Sequence, residues 1–200
     1  MVNQASGTAL KTELDAMIGN TGSGSSARSN RWRRAAWAGA SLLLLLPVLA
    51  MRFTDQVAWD VADVIIFGTL LVTACGAFEL AARRSGDARY LAGASMAVAT
   101  AFVLVWMNLA VGLIGDEGNP VNRLVAGILA VGIIGAAIAR LRPGGMARAL
   151  LTTAVAQALV GLFAVAAGFA GIAGSALPTA FFVLLWLVSA LLFSRAGRAT

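Results

Sequence analysis

The chain of 200 residues has no histidine, one cysteine and only 12% charged residues. Without histidine it offers no His-ligated haem, no His-based zinc or iron site and no histidine general base. Cys75 alone forms neither an internal disulfide nor a CxxC pair. Soluble domains carry about 25% charged residues, so the shortage of charge excludes an ordinary soluble globule.

Hydrophobic residues make up 60% of the chain. A membrane-spanning helix needs about 20 mostly apolar residues. Six apolar stretches can be separated at polar, proline and glycine positions, and the four prolines lie at or near the ends of stretches. The sequence therefore predicts an all-α, polytopic transmembrane helical bundle of about six helices over residues 31–200. Its predicted helices are 35–51, 61–82, 91–115, 121–139, 149–174 and 178–194.

Residues 1–30 differ from the rest of the chain. They include a Gly/Ser-rich run at 21–30 that has nothing to bury, which predicts a disordered cytoplasmic tail. The stretch 35–51 has arginines before it and Val48-Leu49-Ala50 near its end, as a signal peptide would. Because a tail of this length precedes it, we expect an uncleaved first helix.

The two sides of the predicted bundle carry very different numbers of arginines. Arg52 and Arg123 fall on one side, and twelve others fall on the opposite side: Arg28, Arg31, Arg33, Arg34, Arg83, Arg84, Arg89, Arg140, Arg142, Arg148, Arg195 and Arg198. An excess of arginine marks the cytoplasmic side. We expect both termini in the cytoplasm and the lipid bilayer as the partner of these arginines. The net charge of +6 then needs no nucleic-acid partner.

Small residues recur along three of the predicted helices. Since lipid gives helices no hydrophobic reason to associate, such residues favour close helix packing. The candidates for packing positions are Gly112, Gly115, Gly132, Gly135, Ala154, Gly161 and Gly168.

Four polar residues within the predicted helices are candidates for a ligand site or a pathway, because polar groups are costly in a bilayer. Glu79 precedes Arg83 by four residues, which favours an ion pair. Asp63 begins the second helix on the predicted outer side, which favours a first-turn role. Asn108 and Gln157 follow the rows of small residues, where an amide either joins helices by hydrogen bonds or contacts a ligand.

The predicted outer loop after the third helix is the most polar stretch beyond the tail. It contains Asp116, Glu117, Asn119 and Asn122. Asn-Pro favours a turn, and Asn122 can cap the fourth helix. The loop lacks the spacing of a calcium-binding loop, so the sequence predicts no metal site and no cofactor.

Four stretches resemble a family of small bacterial integral inner-membrane proteins of about six helices whose function is uncharacterised. They are residues 53–59, 104–115, 118–122 and 145–150. The resemblance spans roughly residues 45–195. The family pattern has an acid where this chain has Gln56, and alanine where it has Val121. The resemblance implies a bacterial inner membrane and brings no catalytic or binding residues.

Three function classes follow from these features. The favoured class is a structural or accessory subunit that packs against another membrane protein, or against a second copy, through its small-residue rows. The alternative is a transporter or channel for a small solute or ion that uses Asn108, Gln157 and the outer acids. An enzyme is not expected, because the chain has no histidine and Asp63 and Glu79 are about 24 Å apart along one helix.

Overall fold

The computed structural model describes Lys11, Glu13, Arg34, Leu49, Phe53 and residues 37–45, 60–115 and 118–198. Over these residues it contains six helices and no strand. The prediction of an all-α helical bundle is therefore confirmed. The predicted tail lies outside the described residues except for Lys11 and Glu13, and so do Asp116 and Glu117.

The described part of the first helix, α1, is residues 37–45. The other helices are α2 Val61–Arg84, α3 Ala88–Ala110, α4 Leu124–Ala139, α5 Pro143–Ala166 and α6 Ile172–Ala196, with a 3-10 turn at Pro120–Arg123 before α4. Five helices of the described chain are long and apolar enough to cross a membrane, since α4 with its 3-10 turn reaches 20 residues.

The ends of α3 and α5 differ from the predicted ends. Residues 91–115 were expected to form one helix, but α3 ends at Ala110 because Gly112 and Gly115 adopt φ of 75° and 73°. Likewise α5 ends at Ala166, ahead of Gly168 with φ of 74°. Glycine reaches this left-handed conformation without the steric cost of a Cβ. Gly112, Gly115 and Gly168, which the sequence analysis named as helix-packing positions, therefore lie beyond the ends of α3 and α5.

The start of α6 also differs from the expectation that a proline marks a helix end. Pro178 lies inside α6, which begins at Ile172. The missing proline N–H deprives one carbonyl of its donor near the start of a 25-residue helix, and the remaining turns continue past it. As a result α6 is longer than the predicted stretch 178–194.

Four of the predicted packing positions lie at helix contacts. A Cβ at Gly135 would come within 2.8 Å of Ala149 Cβ, and one at Gly132 within 3.2 Å of Thr153 Oγ1. A Cβ at Gly161 would come within 2.9 Å of Thr179 Cβ. Ala154 is 3% exposed in the core. Glycine and alanine thus bring α5 close to both α4 and α6.

Successive helices run antiparallel, so the turns collect at two ends of the bundle. At one end Tyr90 Oη donates to Leu141 O over 2.8 Å, and the Tyr90 ring packs edge-on against Phe193. We call this the arginine-rich end, since α2 and α6 finish there with Arg83, Arg84 and Arg195 in their last turns. At the opposite end Asn119 Nδ2 donates to Phe169 O over 2.8 Å and joins two loops.

Candidate functional site

A lateral groove of about 340 Å³ opens on the side of the bundle. Helices α2 and α4 form its two sides, and α3, α5 and α6 form its floor. The groove exists because α2 packs against α3 and makes little contact with α4. It extends toward the arginine-rich end, where Leu141, Met146 and Phe193 line it. The α2, α3 and α4 parts of its lining include eight small residues: Ala74, Ala77, Ala81, Ala94, Ala97, Ala101, Gly132 and Ala136.

The lateral groove offers few polar groups to a ligand. No charged residue lines it among the described residues. Thr73 Oγ1 donates to Thr69 O over 2.7 Å, and Thr153 Oγ1 donates to Ala149 O over 2.9 Å. The Trp186 indole Nε1 is buried from solvent. Because polar solutes are held by a few well-placed donors and acceptors, this groove suits an apolar occupant.

Two amides predicted as ligand or pathway candidates lie in the bundle at different depths. Gln157 is 0% exposed, and neither of its amide atoms has a hydrogen-bond partner in the described chain. It lies about 14 Å along α5 from Ala166, near the middle of a membrane-spanning helix. Asn108 is half-buried near the end of α3, and its Oδ1 also lacks a partner among described residues. The structure does not bring either amide into the lining of the lateral groove.

Glu79 and Asp63 occupy the local roles that their positions favoured. Arg83 donates to Glu79 Oε1 from Nη2 over 2.6 Å and from Nε over 3.2 Å. Trp37 Nε1 lies 3.5 Å from Glu79 Oε2, so the carboxylate also reaches α1. Asp63 accepts from the backbone N–H of Asp60 over 3.1 Å, while Asp60 caps the Asp63 N–H over 2.8 Å. This reciprocal pair is a capping box with aspartate in the place of glutamate.

Asn119 and Asn122 organise the loop between α3 and α4. Asn122 is 5% exposed, and its Oδ1 accepts from the N–H groups of Leu113 and Ile114 over 3.0 and 2.9 Å. Asn119, not Asn122, caps the helical segment, since its Oδ1 accepts from Val121 N over 3.0 Å. The two amide side chains therefore provide hydrogen-bond acceptors for backbone N–H groups of the loop, which are costly to leave unpaired when buried. Asp116 and Glu117 lie outside the described residues.

Two contacts that hold the bundle together were not predicted. Tyr90 is 1% exposed and joins α3 to the turn between α4 and α5. Ser189 Oγ donates to Gly93 O over 2.7 Å, and a Cβ at Gly93 would come within 3.0 Å of the Phe193 ring. A lone tyrosine near a helix start signals only a membrane interface. A single glycine in α3 gives no periodic signal. The sequence therefore indicates neither contact, and both are seen only in the structure.

The fold and its groove define a multi-pass helical membrane protein with an apolar lateral cleft and a polar residue sealed in its core. Within the described residues no group of three or more His, Cys, Asp or Glu side chains is placed to hold a metal ion. Comparison of the chain with family models, curated proteins and solved structures found no match.

Proposed function

We propose that the protein is an accessory subunit of a membrane complex, in which the lateral groove receives apolar side chains from a transmembrane helix of another membrane protein. The observation that carries this proposal is the groove itself. Alanine and glycine from α2, α3 and α4 line it together with larger apolar side chains, and its hydroxyl groups are already bonded to their own helices. Small residues let a second helix approach closely, which is how helices associate in lipid.

The shape of the groove supports a helix as its occupant. Its α2 side runs from Leu70 to Ala81, about 16 Å or three helical turns. A volume of about 340 Å³ lies at the lower end of the range for small-molecule pockets. A few large side chains on one face of a partner helix would fill this space along those three turns.

The proposed setting is a bacterial cytoplasmic membrane with both termini in the cytoplasm. The uneven distribution of arginine supports this orientation, since Arg83, Arg84, Arg140, Arg142 and Arg195 lie at turns and helix ends of one side. The family resemblance of residues 53–59 and 104–115 supports the bacterial inner membrane.

Native co-purification tests the accessory-subunit proposal. The tagged protein is extracted from its own membrane in mild detergent, and the mass and composition of the complex are measured. A stoichiometric membrane partner is expected. Ala77→Leu places a large side chain in the groove and should reduce recovery of the partner at least about tenfold, because a filled groove cannot accept the partner's side chains.

Ala158→Leu is the matched control for this experiment. Ala158 is exposed on α5, as Ala77 is on α2, but it does not line the groove. Recovery of the partner should be unchanged in this variant. A wild-type protein that purifies alone, or equal loss of partner in both variants, would refute the accessory-subunit proposal.

A small-solute or ion transporter is the second candidate, and the sealed amide of Gln157 is the observation that favours it. An unpartnered amide near the middle of a membrane is a group that a permeating species could use. In this case Gln157→Leu and Asn108→Ala should each abolish flux in proteoliposomes while Ala77→Leu leaves flux intact. Flux that survives both amide substitutions would exclude this function.

A further inference from the structure

A second pocket, separate from the lateral groove, lies at the arginine-rich end. It has a volume of about 380 Å³ and is lined by Arg140, Arg142, Arg148, Gly145, Ile138 and Ala139. The three arginines come from the turn between α4 and α5 and from the second turn of α5. We call it the arginine pocket. None of its lining residues also lines the lateral groove.

The charges of the arginine pocket are not neutralised by the described chain. No described acid pairs with Arg140, Arg142 or Arg148. At this end of the bundle Glu79 is paired with Arg83, and Asp87 accepts from the Tyr90 N–H. The amino terminus of α5, which no side chain caps, adds partial positive charge beside the arginines. Three arginine side chains that line one pocket form a site for an anionic phosphate group.

The surroundings of the arginine pocket indicate which oxyanion it meets. Ile138 lines the pocket and is 79% exposed, and Ile134, one turn earlier on α4, is 58% exposed. An apolar surface thus continues from the pocket along a membrane-spanning helix. A phosphate group whose molecule also carries acyl chains would contact both surfaces at once, with its headgroup at the depth where basic pockets bind anionic lipids.

We propose that the arginine pocket binds the phosphate group of an anionic phospholipid, with the acyl chains lying against Ile134 and Ile138. Tyr90 is the positioning residue for this site, because its hydroxyl holds the carbonyl of Leu141 between two of the arginines. The backbone there is held in a left-handed conformation, with φ of 47° at Arg140 and 56° at Leu141. The proposal is independent of the accessory-subunit function and of the lateral groove.

Lipid binding to the purified full-length protein tests this proposal. Delipidated protein is titrated with phosphatidylglycerol or with phosphatidylcholine, and bound lipid is counted by native mass spectrometry. The wild type should bind phosphatidylglycerol roughly tenfold more tightly than phosphatidylcholine. The triple substitution R140Q/R142Q/R148Q should remove this preference, and Arg148→Gln alone should weaken it severalfold. The single substitution keeps the turn intact if the triple variant folds poorly.

A charge-matched variant and free phosphate provide the controls. R84Q/R89Q/R198Q removes the same charge from exposed arginines outside the pocket, and it should keep the lipid preference. Equal loss in the two triple variants would show a general charge effect and overturn the site. Millimolar inorganic phosphate should leave phosphatidylglycerol bound. Complete displacement of phosphatidylglycerol by inorganic phosphate would show that the pocket recognises phosphate alone, and it would refute the proposal of a lipid site.

Discussion

The contact between α5 and α6 is closed, whereas α2 and α4 leave a groove between them. At Gly161 the two helices approach so closely that a Cβ would lie 2.6 Å from Thr179 Cγ2. On the groove side, Ala77 of α2 is exposed. Outside the groove lining, a Cβ at Gly127 of α4 would meet nothing within 4 Å. Both regions are rich in small residues, so composition alone does not distinguish a packed interface from an unfilled one.

The two regions also treat polar groups differently. Thr73 at the groove satisfies its hydroxyl within its own helix. At the closed contact Ser175 Oγ of α6 donates to Gly161 O of α5 over 3.3 Å, while Gln157 of α5 is sealed without a described partner. Hydrogen bonds between membrane helices contribute about 0.6 kcal/mol on average. The closed region is therefore held mainly by close packing, with a minor contribution from its polar groups.

Gly161→Ala should destabilise the protein strongly. The added Cβ overlaps Thr179 and forces α5 and α6 apart, which should lower the free energy of unfolding by about 2 kcal/mol. Chemical denaturation in detergent measures this change. Gly127→Ala is the control, since its Cβ would meet nothing within 4 Å. Equal stability of the two variants would contradict the close contact between α5 and α6 at Gly161.

Tyr90→Phe should cost about 1 kcal/mol, because it removes the hydrogen bond to Leu141 O and keeps the ring against Phe193. Thermal unfolding in detergent measures the loss. Ser95→Ala is the comparison, since its exposed hydroxyl bonds only the preceding turn of α3, at Leu91 O. An unchanged unfolding temperature for Tyr90→Phe would mean that the hydrogen bond between Tyr90 and Leu141 O does not stabilise the protein.

The number of helices can be predicted from local sequence, but the positions of the helix ends can be predicted only in part. Each spanning helix carries its own apolar stretch, and the Glu79–Arg83 pair and the Asp63 cap lie within single helices, so local spacing suffices. A glycine that packs and a glycine that turns look alike in sequence. Gly161 and Gly168 share one seven-residue row, yet only Gly161 packs against another helix, while Gly168 takes a φ of 74°.

The lateral groove could not be predicted because it depends on contacts distant in sequence, and the arginine pocket could not be predicted because it depends on the backbone conformation of one turn. The groove requires α2 and α4 to remain apart while α3 packs against α6. The pocket lies at the turn whose Leu141 carbonyl accepts a hydrogen bond from Tyr90, 51 residues earlier in the chain. Arginine counts predicted a charged face of the bundle, but no pattern of spacing indicated that Arg140, Arg142 and Arg148 would surround one space.

Ser189→Ala and Gln157→Leu should change stability in different ways although both residues are 0% exposed. Loss of the Ser189 bond to Gly93 O should cost about 0.6 kcal/mol. Gln157→Leu should cost nothing, because it replaces unpartnered amide atoms with methyl groups of similar volume. Parallel denaturation curves compare the two. A larger loss for Gln157→Leu would reveal a partner of the amide and weaken the transporter alternative, which depends on an unpartnered amide.

Ala77→Leu should also change stability little, by under about 0.5 kcal/mol, because its side chain enters space that is already open. Ala164→Leu is the contrasting substitution, since Ala164 is 0% exposed in the core and extra atoms there overpack the bundle. Denaturation of the purified protein compares the two. If Ala77→Leu were as destabilising as Ala164→Leu, the groove would be closed in the free protein. An Ala77→Leu protein that is stable but recovers no partner would separate the two roles. The groove would be needed for binding the partner, and the protein would fold whether or not the groove is filled.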